Sequence, residues 1–397
     1  MKIVRRIEPT DWMRDPRLLR VAAAVEGAGG RIRLVGGAVR AILLHEDRAD
    51  IDLATDLPPD AVSAALLGAD INVVPTGLAH GTVLATLPGW KAEITTLRRD
   101  LETDGRHATV AFTDNWEADA ARRDFTINAL YADLDGALYD PEGGLADLAA
   151  GRVRFIGEAT QRIEEDALRI LRFFRFHARY GTAEPDPAAL AACSAKAAMI
   201  GNLSGERIAA EMTKLLAAGQ PLRGLRPMAR CGVLDLVLAA PVRFERLENL
   251  VSVEHRFGRV DAERRLAALL PPDQAALGAL AARWKISNAL RARLKTLLGP
   301  APDLQGGHAV RRVIDRLGAS LTIDFALLGD ADPAPVLELA DRWTPPDFPL
   351  TGADVMAAGV AGGPRVGELL GLVRGWWVDG DFRASRELCL ARLRAAL

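Results

Sequence analysis

Apolar residues in the first part of the chain, to about residue 155, come in short runs set off by glycine, proline and aspartate. Such runs predict strands at Ile32–Val35, Ile51–Ala54, Ile71–Val74, Thr82–Leu87, Ala92–Leu97, Leu130–Asp133 and Val153–Ile156. Amphipathic stretches between them predict helices at Ala38–Leu44, Pro58–Leu67 and Trp116–Arg123. The alternation reads as a small α/β domain around one sheet. From about Ala159 the pattern changes. Long segments rich in Ala, Leu and Arg repeat with the helical period of about 3.6 residues, and strand-like alternation almost vanishes. Turns around Gly181–Pro187, Gly219–Pro221 and Pro271–Pro272 separate helices, and Gly299–Gly307 is a stronger break. The expected fold class is α+β: a mixed-sheet head followed by an all-α remainder.

Composition adds bounds. A chain of 397 residues with 49% hydrophobic and 26% charged residues is an ordinary globular protein of several domains. No apolar run reaches membrane-spanning length, and the Met1–Thr10 start lacks the apolar core of a signal peptide. Cys193, Cys231 and Cys389 stand far apart without a C-x-x-C, which implies neither zinc nor a disulfide framework. The six histidines are equally scattered. A cytoplasmic location is expected. A net charge of −2 gives no global sign of nucleic-acid binding, but arginines cluster between Arg162 and Arg179 and again between Arg223 and Arg265. That distribution permits an RNA partner without arguing for one.

Chemistry concentrates in three places. The first is Leu34-Val-Gly-Gly-Ala-Val-Arg40 followed by Asp50-Ile-Asp-Leu-Ala-Thr55. On a strand, Asp50 and Asp52 project to the same face, close enough to hold a pair of divalent cations. Gly36 and Gly37, without Cβ atoms, let backbone N–H groups approach a phosphate. Taken singly, the carboxylates also fit a solvated strand end, and the glycines fit a tight turn. The second is Arg122-Arg123-Asp124-Phe-Thr-Ile-Asn128, whose guanidiniums can reach a triphosphate while Asp124 and Asn128 meet ribose hydroxyls. Its plain alternative is a capped helix end with solvated arginines. The third is Glu165-Asp166-Ala-Leu-Arg169-Ile-Leu-Arg172-Phe-Phe-Arg175. On one helix, Asp166, Arg169 and Arg172 form a polar ridge. It is either an i,i+3 ion pair or a carboxylate–guanidinium pair able to match a nucleobase edge.

Together these residues resemble the class II tRNA nucleotidyltransferases (CCA-adding enzymes) and the bacterial poly(A) polymerases of the DNA polymerase β superfamily. The resemblance extends to Asp140-Pro-Glu-Gly-Gly144 with Asp147-Leu148, and to Asn202-Leu-Ser-Gly-Glu206-Arg207 … Glu211, five motifs in order over residues 34–216. A weaker resemblance to the tail of some members lies in Pro349–Asp354 and Gly363–Gly367. It implies a polymerase β-like catalytic head over residues 1–155, a helical neck over 156–220, a body over 221–300 and a tRNA-binding tail over 301–397. It also implies that Asp50 and Asp52 bind two Mg²⁺ ions and activate the RNA 3′-hydroxyl. Gly36, Gly37, Arg40 and Arg123 would hold triphosphate and ribose together with Asp124 and Asn128. Asp166 and Arg169 would read the base, supported by Arg172 and Arg175. Glu93, on the Ala92–Leu97 strand, is a candidate third carboxylate or an exposed strand residue. The chain departs from the family at Ala41, where an aspartate is common.

Within the family, the polar stretch Arg99–Thr113 resembles the loop used in switching from CTP to ATP, which favours addition of CCA or of A. The basic extension typical of bacterial poly(A) polymerases is not evident before Leu397. The expected activity is therefore addition of CCA from CTP and ATP to the tRNA 3′ end, with the helical second half gripping the tRNA elbow and no obligate protein partner or membrane. Poly(A) synthesis or A-only addition is the alternative. A non-catalytic RNA-binding protein of this fold would be expected to lose a carboxylate, and both are present.

Overall fold

A computed structural model describes residues 1–46, 50–77, 81–103, 108–182 and 184–397. The chain forms two compact units, Met1–Ala239 and Ala240–Leu397.

The first unit carries a mixed eight-stranded sheet made of β1 (Ile3–Arg6), β2 (Ile32–Val35), β3 (Asp52–Thr55), β4 (Asn72–Gly77), β5 (Thr82–Leu87), β6 (Trp90–Thr96), β9 (Tyr131–Ala132) and β10 (Ala137–Tyr139). Its order is β1-β10-β9-β2-β3-β6-β5-β4, and β3 runs parallel to β6 while the other pairs are antiparallel. The strands β7 (Arg98–Thr103) and β8 (Ala108–Phe112) form a separate two-stranded sheet. They occupy the expected switching loop, whose residues 104–107 lie outside the described residues. The helices of the head are α1 (Pro16–Gly27), α2 (Gly37–Leu43), α3 (Pro59–Gly68), α4 (Trp116–Ala121) and α5 (Gly144–Ala149).

β2 is buried along its whole length, which fits its central place in the sheet. Arg33 is tolerated there because its Nε donates to Asp133 at 2.8 Å and its guanidinium lies 3.8 Å from the Tyr139 ring centroid. Paired and stacked in this way, the charge keeps partners in place of water.

One expected strand is absent and two observed strands of the eight-stranded sheet were not expected. Val153–Ile156 is no strand: Phe155 makes one bridge to Phe125, and the segment instead feeds aromatic side chains into the packing around Phe173. β1 and β10, short and without strong alternation, were not predicted at all.

The first unit continues through α6 (Ala159–Glu165), α7 (Leu168–Tyr180), α8 (Pro187–Ala195), α9 (Gly205–Leu216), α10 (Pro221–Arg230) and α11 (Val233–Leu238). The second unit is helical among its described residues, from α12 (Phe244–Phe257) and α13 (Ala262–Leu269) through α14 (Gln274–Trp284), α15 (Asn288–Leu297), α16 (Gly306–Leu317), α17 (Ala319–Leu328), α18 (Ala334–Arg342), α19 (Gly352–Ala357), α20 (Pro364–Asp379) and α21 (Arg386–Arg394). Among the described residues, no helix is long and apolar enough to cross a membrane.

In the second unit, Arg264 and Arg265 form buried ion pairs with Glu254, and Arg264 also pairs with Asp324. These members of the Arg223–Arg265 cluster are structural, not part of a basic surface.

Candidate active site

A cleft of about 1290 Å³ opens in the first unit, and every predicted site residue lines it: Gly36, Gly37, Arg40, Asp50, Asp52, Glu93, Arg123, Asp124, Asn128, Asp166, Arg169, Arg172 and Arg175.

The carboxylates gather where β3 meets β6. Asp52 pairs with Glu93 in register, and the Glu93 N–H donates to the Ile51 carbonyl at 2.9 Å, so the extended geometry reaches back toward Asp50. Glu93 is exposed and still part of this group, which joins the two alternatives held for it. Burial, with the charges of Glu93 and Asp50, pushes the Asp52 carboxyl up to about 6 against the pull of Arg40 and Arg123. Gly37 sits close beside it: a Cβ there would come within 3.2 Å of Asp52 Oδ2, so a larger residue would press on that carboxylate. Gly36 turns with φ +54°, a conformation that favours glycine. Ala41 is buried in the head and is absent from the cleft lining.

Arg40 is almost fully buried. Its Nη1 donates to the Ile127 carbonyl at 3.0 Å and to Asn128 Oδ1, while the ring centroids of Phe176 and Tyr180 lie 5.2 and 5.1 Å from its guanidinium. Asn128 passes the contact on, donating through Nδ2 to Asp124 Oδ1 at 2.7 Å. Asp124 Oδ2 then accepts from Arg172 Nε at 2.6 Å. Burial alone would raise the Asp124 carboxyl, but Arg172 and Asn128 hold it at about 2. Asp124, ionised, and Asn128, neutral, thus line the cleft at the centre of a chain that fixes two guanidiniums.

Arg122 and Arg123 point back at one buried carboxylate. Asp119 accepts from Arg122 at 2.6 Å, from Arg123 at 2.8 Å and from the Tyr131 hydroxyl at 2.8 Å. Both guanidiniums line the cleft on a rigid base, and neither is a solvated helix end. Asp119 was missed in the sequence because an acidic residue in a helical first turn has an ordinary explanation.

The predicted polar ridge is broken. Asp166 is not helical; its φ of −154° and ψ of 106° form the joint between α6 and α7. Arg169 pairs with Glu165 at 2.5 Å instead, and Asp166 Oδ2 accepts from Arg207 at 2.8 Å. Asp166 Oδ1 accepts from the N–H of Leu168, the first residue of α7, at 3.0 Å. Arg175 donates to buried Glu211 at 2.6 Å. Glu211 and Arg207, both on α9, thus fix Arg175 and Asp166, a pairing that the spacing of the fifth motif does not show.

The matching family models are the poly(A) polymerase head domain, over residues 32–154, and the probable RNA and SrmB-binding site of polymerase A, over residues 184–242. The mitochondrial CCA tRNA nucleotidyltransferase 1 of Danio rerio is 34% identical over 378 residues, covering 91% of this chain and 86% of its own. The CCA-adding enzyme of Streptococcus pneumoniae serotype 19F is 32% identical over 391 residues, covering 95% and 96%. The chain belongs to the CCA-adding tRNA nucleotidyltransferase family. The crystal structure of the Bacillus stearothermophilus CCA-adding enzyme in complex with CTP, 27% identical, overlays with a TM-score of 0.76 over 96% of this chain and 98% of that one. The Thermotoga maritima CCA-adding enzyme complexed with tRNA shares the fold, with a TM-score of 0.67 at 22% identity. As in these relatives, a mixed-sheet nucleotidyltransferase head precedes an all-helical remainder.

Proposed function

We infer that the chain completes the CCA end of tRNA, adding nucleotides from CTP and ATP to the RNA 3′-hydroxyl with release of pyrophosphate. The observation that carries this reading is one cleft with Asp50, Asp52 and Glu93 at one place and guanidiniums on the surrounding walls. That division of charge suits phosphoryl transfer, which needs positioning and neutralisation more than covalent chemistry.

The residues fit Mg²⁺. Burial, with the charges of Glu93 and Asp50, raises the Asp52 carboxyl to about 6, and a divalent cation relieves both the cost of the buried charge and the repulsion. Among the described residues, no three carboxylate, thiol or imidazole groups form a ready metal cage. Mg²⁺ suits such a site, since it commonly takes one or two carboxylates and completes its shell with phosphate oxygens and water. Asp50 and Asp52 would hold it, and when bound it supplies neutralising charge and a more acidic 3′-hydroxyl.

The side chains do the rest. Gly36 and Gly37 give the triphosphate close access to backbone, with Arg40 and Arg123 as fixed counter-charges. Arg172 and Arg175, locked by Asp124 and Glu211, hold their positions before substrate enters. Asp166 and Arg169 present an acceptor and a donor to the base edge, each oriented by a partner. The tRNA body would be gripped by the helical second unit through phosphate contacts.

Incubation with Mg²⁺, labelled CTP or ATP and tRNA transcripts ending before C, CA or CCA tests the reading. Sequential use of CTP and then ATP is expected. Incorporation of neither nucleotide would remove the enzymatic reading, and ATP-only use on many RNAs would replace it with poly(A) synthesis.

A further inference from the structure

α7 and α9 run in the same direction. Asp166, just before α7, faces Arg207 near the start of α9, and Arg175 faces Glu211 further along both. Their C-terminal ends therefore adjoin, at the opposite end of the helix pair from the proposed base-reading group. Four features meet there. Arg179 and Lys214 line the cleft and are exposed. Ala217, Ala218 and Gly219 line it too, and as small residues they form a low wall. Arg179 pairs with Glu46 at 2.8 Å, with the two side chains 51% and 34% exposed, and its guanidinium lies 5.2 Å from the Tyr180 ring centroid. Lys214 has no ion-pair partner among the described residues.

The contrast with the rest of the cleft is informative. Arg40, Arg123, Arg172 and Arg175 are fixed by buried or half-buried partners before any substrate arrives. The one carboxylate on Arg179 among the described residues forms a surface-type ion pair, worth about 0–1 kcal/mol, so exchanging Glu46 for another anion costs little, and the contact with the Tyr180 ring can persist. A free nucleotide can be enclosed entirely within the cleft. A polynucleotide cannot, because its backbone has to pass out to solvent over an open rim. Exposed cations, one loosely paired and one without an ion-pair partner among the described residues, beside a low wall suit that backbone.

We propose that Arg179 and Lys214 hold backbone phosphates of the RNA 3′-terminal nucleotides where the strand leaves the cleft, with Glu46 as the carboxylate that phosphate displaces from Arg179. This rests on the reading of the chain as an RNA nucleotidyltransferase and adds the path of its acceptor strand. Neither residue belongs to the motifs on which the sequence resemblance stands, apart from Lys214 falling just beyond the fifth.

The test measures KM for a tRNA transcript ending before CCA, KM for CTP, and direct binding of the same RNA across a salt series. Arg179→Ala and Lys214→Ala are each expected to raise the KM for RNA roughly three- to ten-fold and to reduce the log–log salt slope of binding by about 0.7. The KM for CTP should stay within about two-fold, in keeping with a contact confined to the RNA backbone. Arg179→Lys and Lys214→Arg should keep most of the affinity. Glu46→Gln should lower the KM for RNA, a gain that no folding defect imitates. A rise in the KM for CTP instead would assign these cations to the triphosphate and overturn the proposal. A lowered melting temperature with both KM values unchanged would reduce them to counter-charges for two helix C-termini, which also overturns it. If the wild-type chain incorporates nothing, the functional reading fails, while the direct binding series still decides whether these side chains hold RNA.

Discussion

Arg207 reaches from α9 to Asp166, placing Nη2 2.8 Å from Oδ2, and so ties down the carboxylate at the joint between α6 and α7. Because Oδ1 is already engaged by the Leu168 N–H, the direction of the whole group is set. Asp166 meets the cleft as an oriented acceptor, not as one residue on a helical face.

Freeing that carboxylate should therefore blur selection of the base. Arg207→Ala is expected to reduce the ratio of kcat/KM for CTP and ATP over GTP and UTP by about ten-fold, the effect of roughly 1.4 kcal/mol of lost discrimination. Arg207→Lys should recover part of it. A ratio equal to wild type in Arg207→Ala would show that Asp166 needs no support from α9.

Removing a metal-site carboxylate separates activity from stability. Asp50→Ala and Asp52→Ala should abolish transfer while the circular dichroism spectrum stays native. Asp52→Asn should raise the melting temperature of the metal-free protein at neutral pH, since it removes a charge whose folded-state pKa is raised to about 6. The gain is on the order of 1–3 kcal/mol, from about 1.4 kcal/mol per pKa unit. Turnover near wild type in either alanine variant would contradict the assignment.

The same shift sets a pH dependence with a definite sign. A carboxyl whose folded pKa is raised favours folding most at pH values below its unfolded value of 3.8, and that contribution is lost as pH rises through about 6. Activity runs the other way, because the ionised form binds Mg²⁺. The rate at limiting Mg²⁺ should fall as pH drops below about 6, and raising Mg²⁺ should move that limb to lower pH. Profiles that coincide at low and high Mg²⁺ would separate Asp52 from the metal.

Asp119 should matter as much to folding as to catalysis. Burial opposes its charge, yet Arg123 and Arg122 hold its carboxyl well below the usual carboxylate range. Asp119→Ala leaves two guanidiniums without their counter-charge and should cost about 3–5 kcal/mol in denaturant unfolding. Asp119→Asn keeps the shape and should cost less while raising the KM for nucleotide. In the wild type, the stabilisation from this group is present at neutral pH and is lost as pH falls below about 3.8, the unfolded value. A denaturation midpoint unmoved in Asp119→Ala would mean that solvent replaces the carboxylate.

Much of this protein was legible without coordinates. Short apolar runs predicted β2 and β5 to the residue, and the change to helical periodicity near Ala159 marked the end of the sheet. Motif order brought every predicted site residue to one cleft, because residue types with special chemistry or conformation, such as Gly36, Gly37, Asp50 and Asp52, carry their signal locally. What sequence could not supply was pairing. Asp166 and Arg169 look like partners at i,i+3, yet their bonds go to Arg207 and Glu165, because a helix break at Asp166 turns the carboxylate toward α9. Arg264 and Arg265 look like part of a basic patch, yet Glu254 buries both. A charge in sequence has no fixed partner until packing decides which opposite charge shares its low-dielectric surroundings. The sequence by itself determined which groups the chain owns and the class of chemistry they serve. Tertiary structure alone decided which are locked by buried partners and which, like Arg179 and Lys214, line the cleft exposed and held by no buried carboxylate among the described residues.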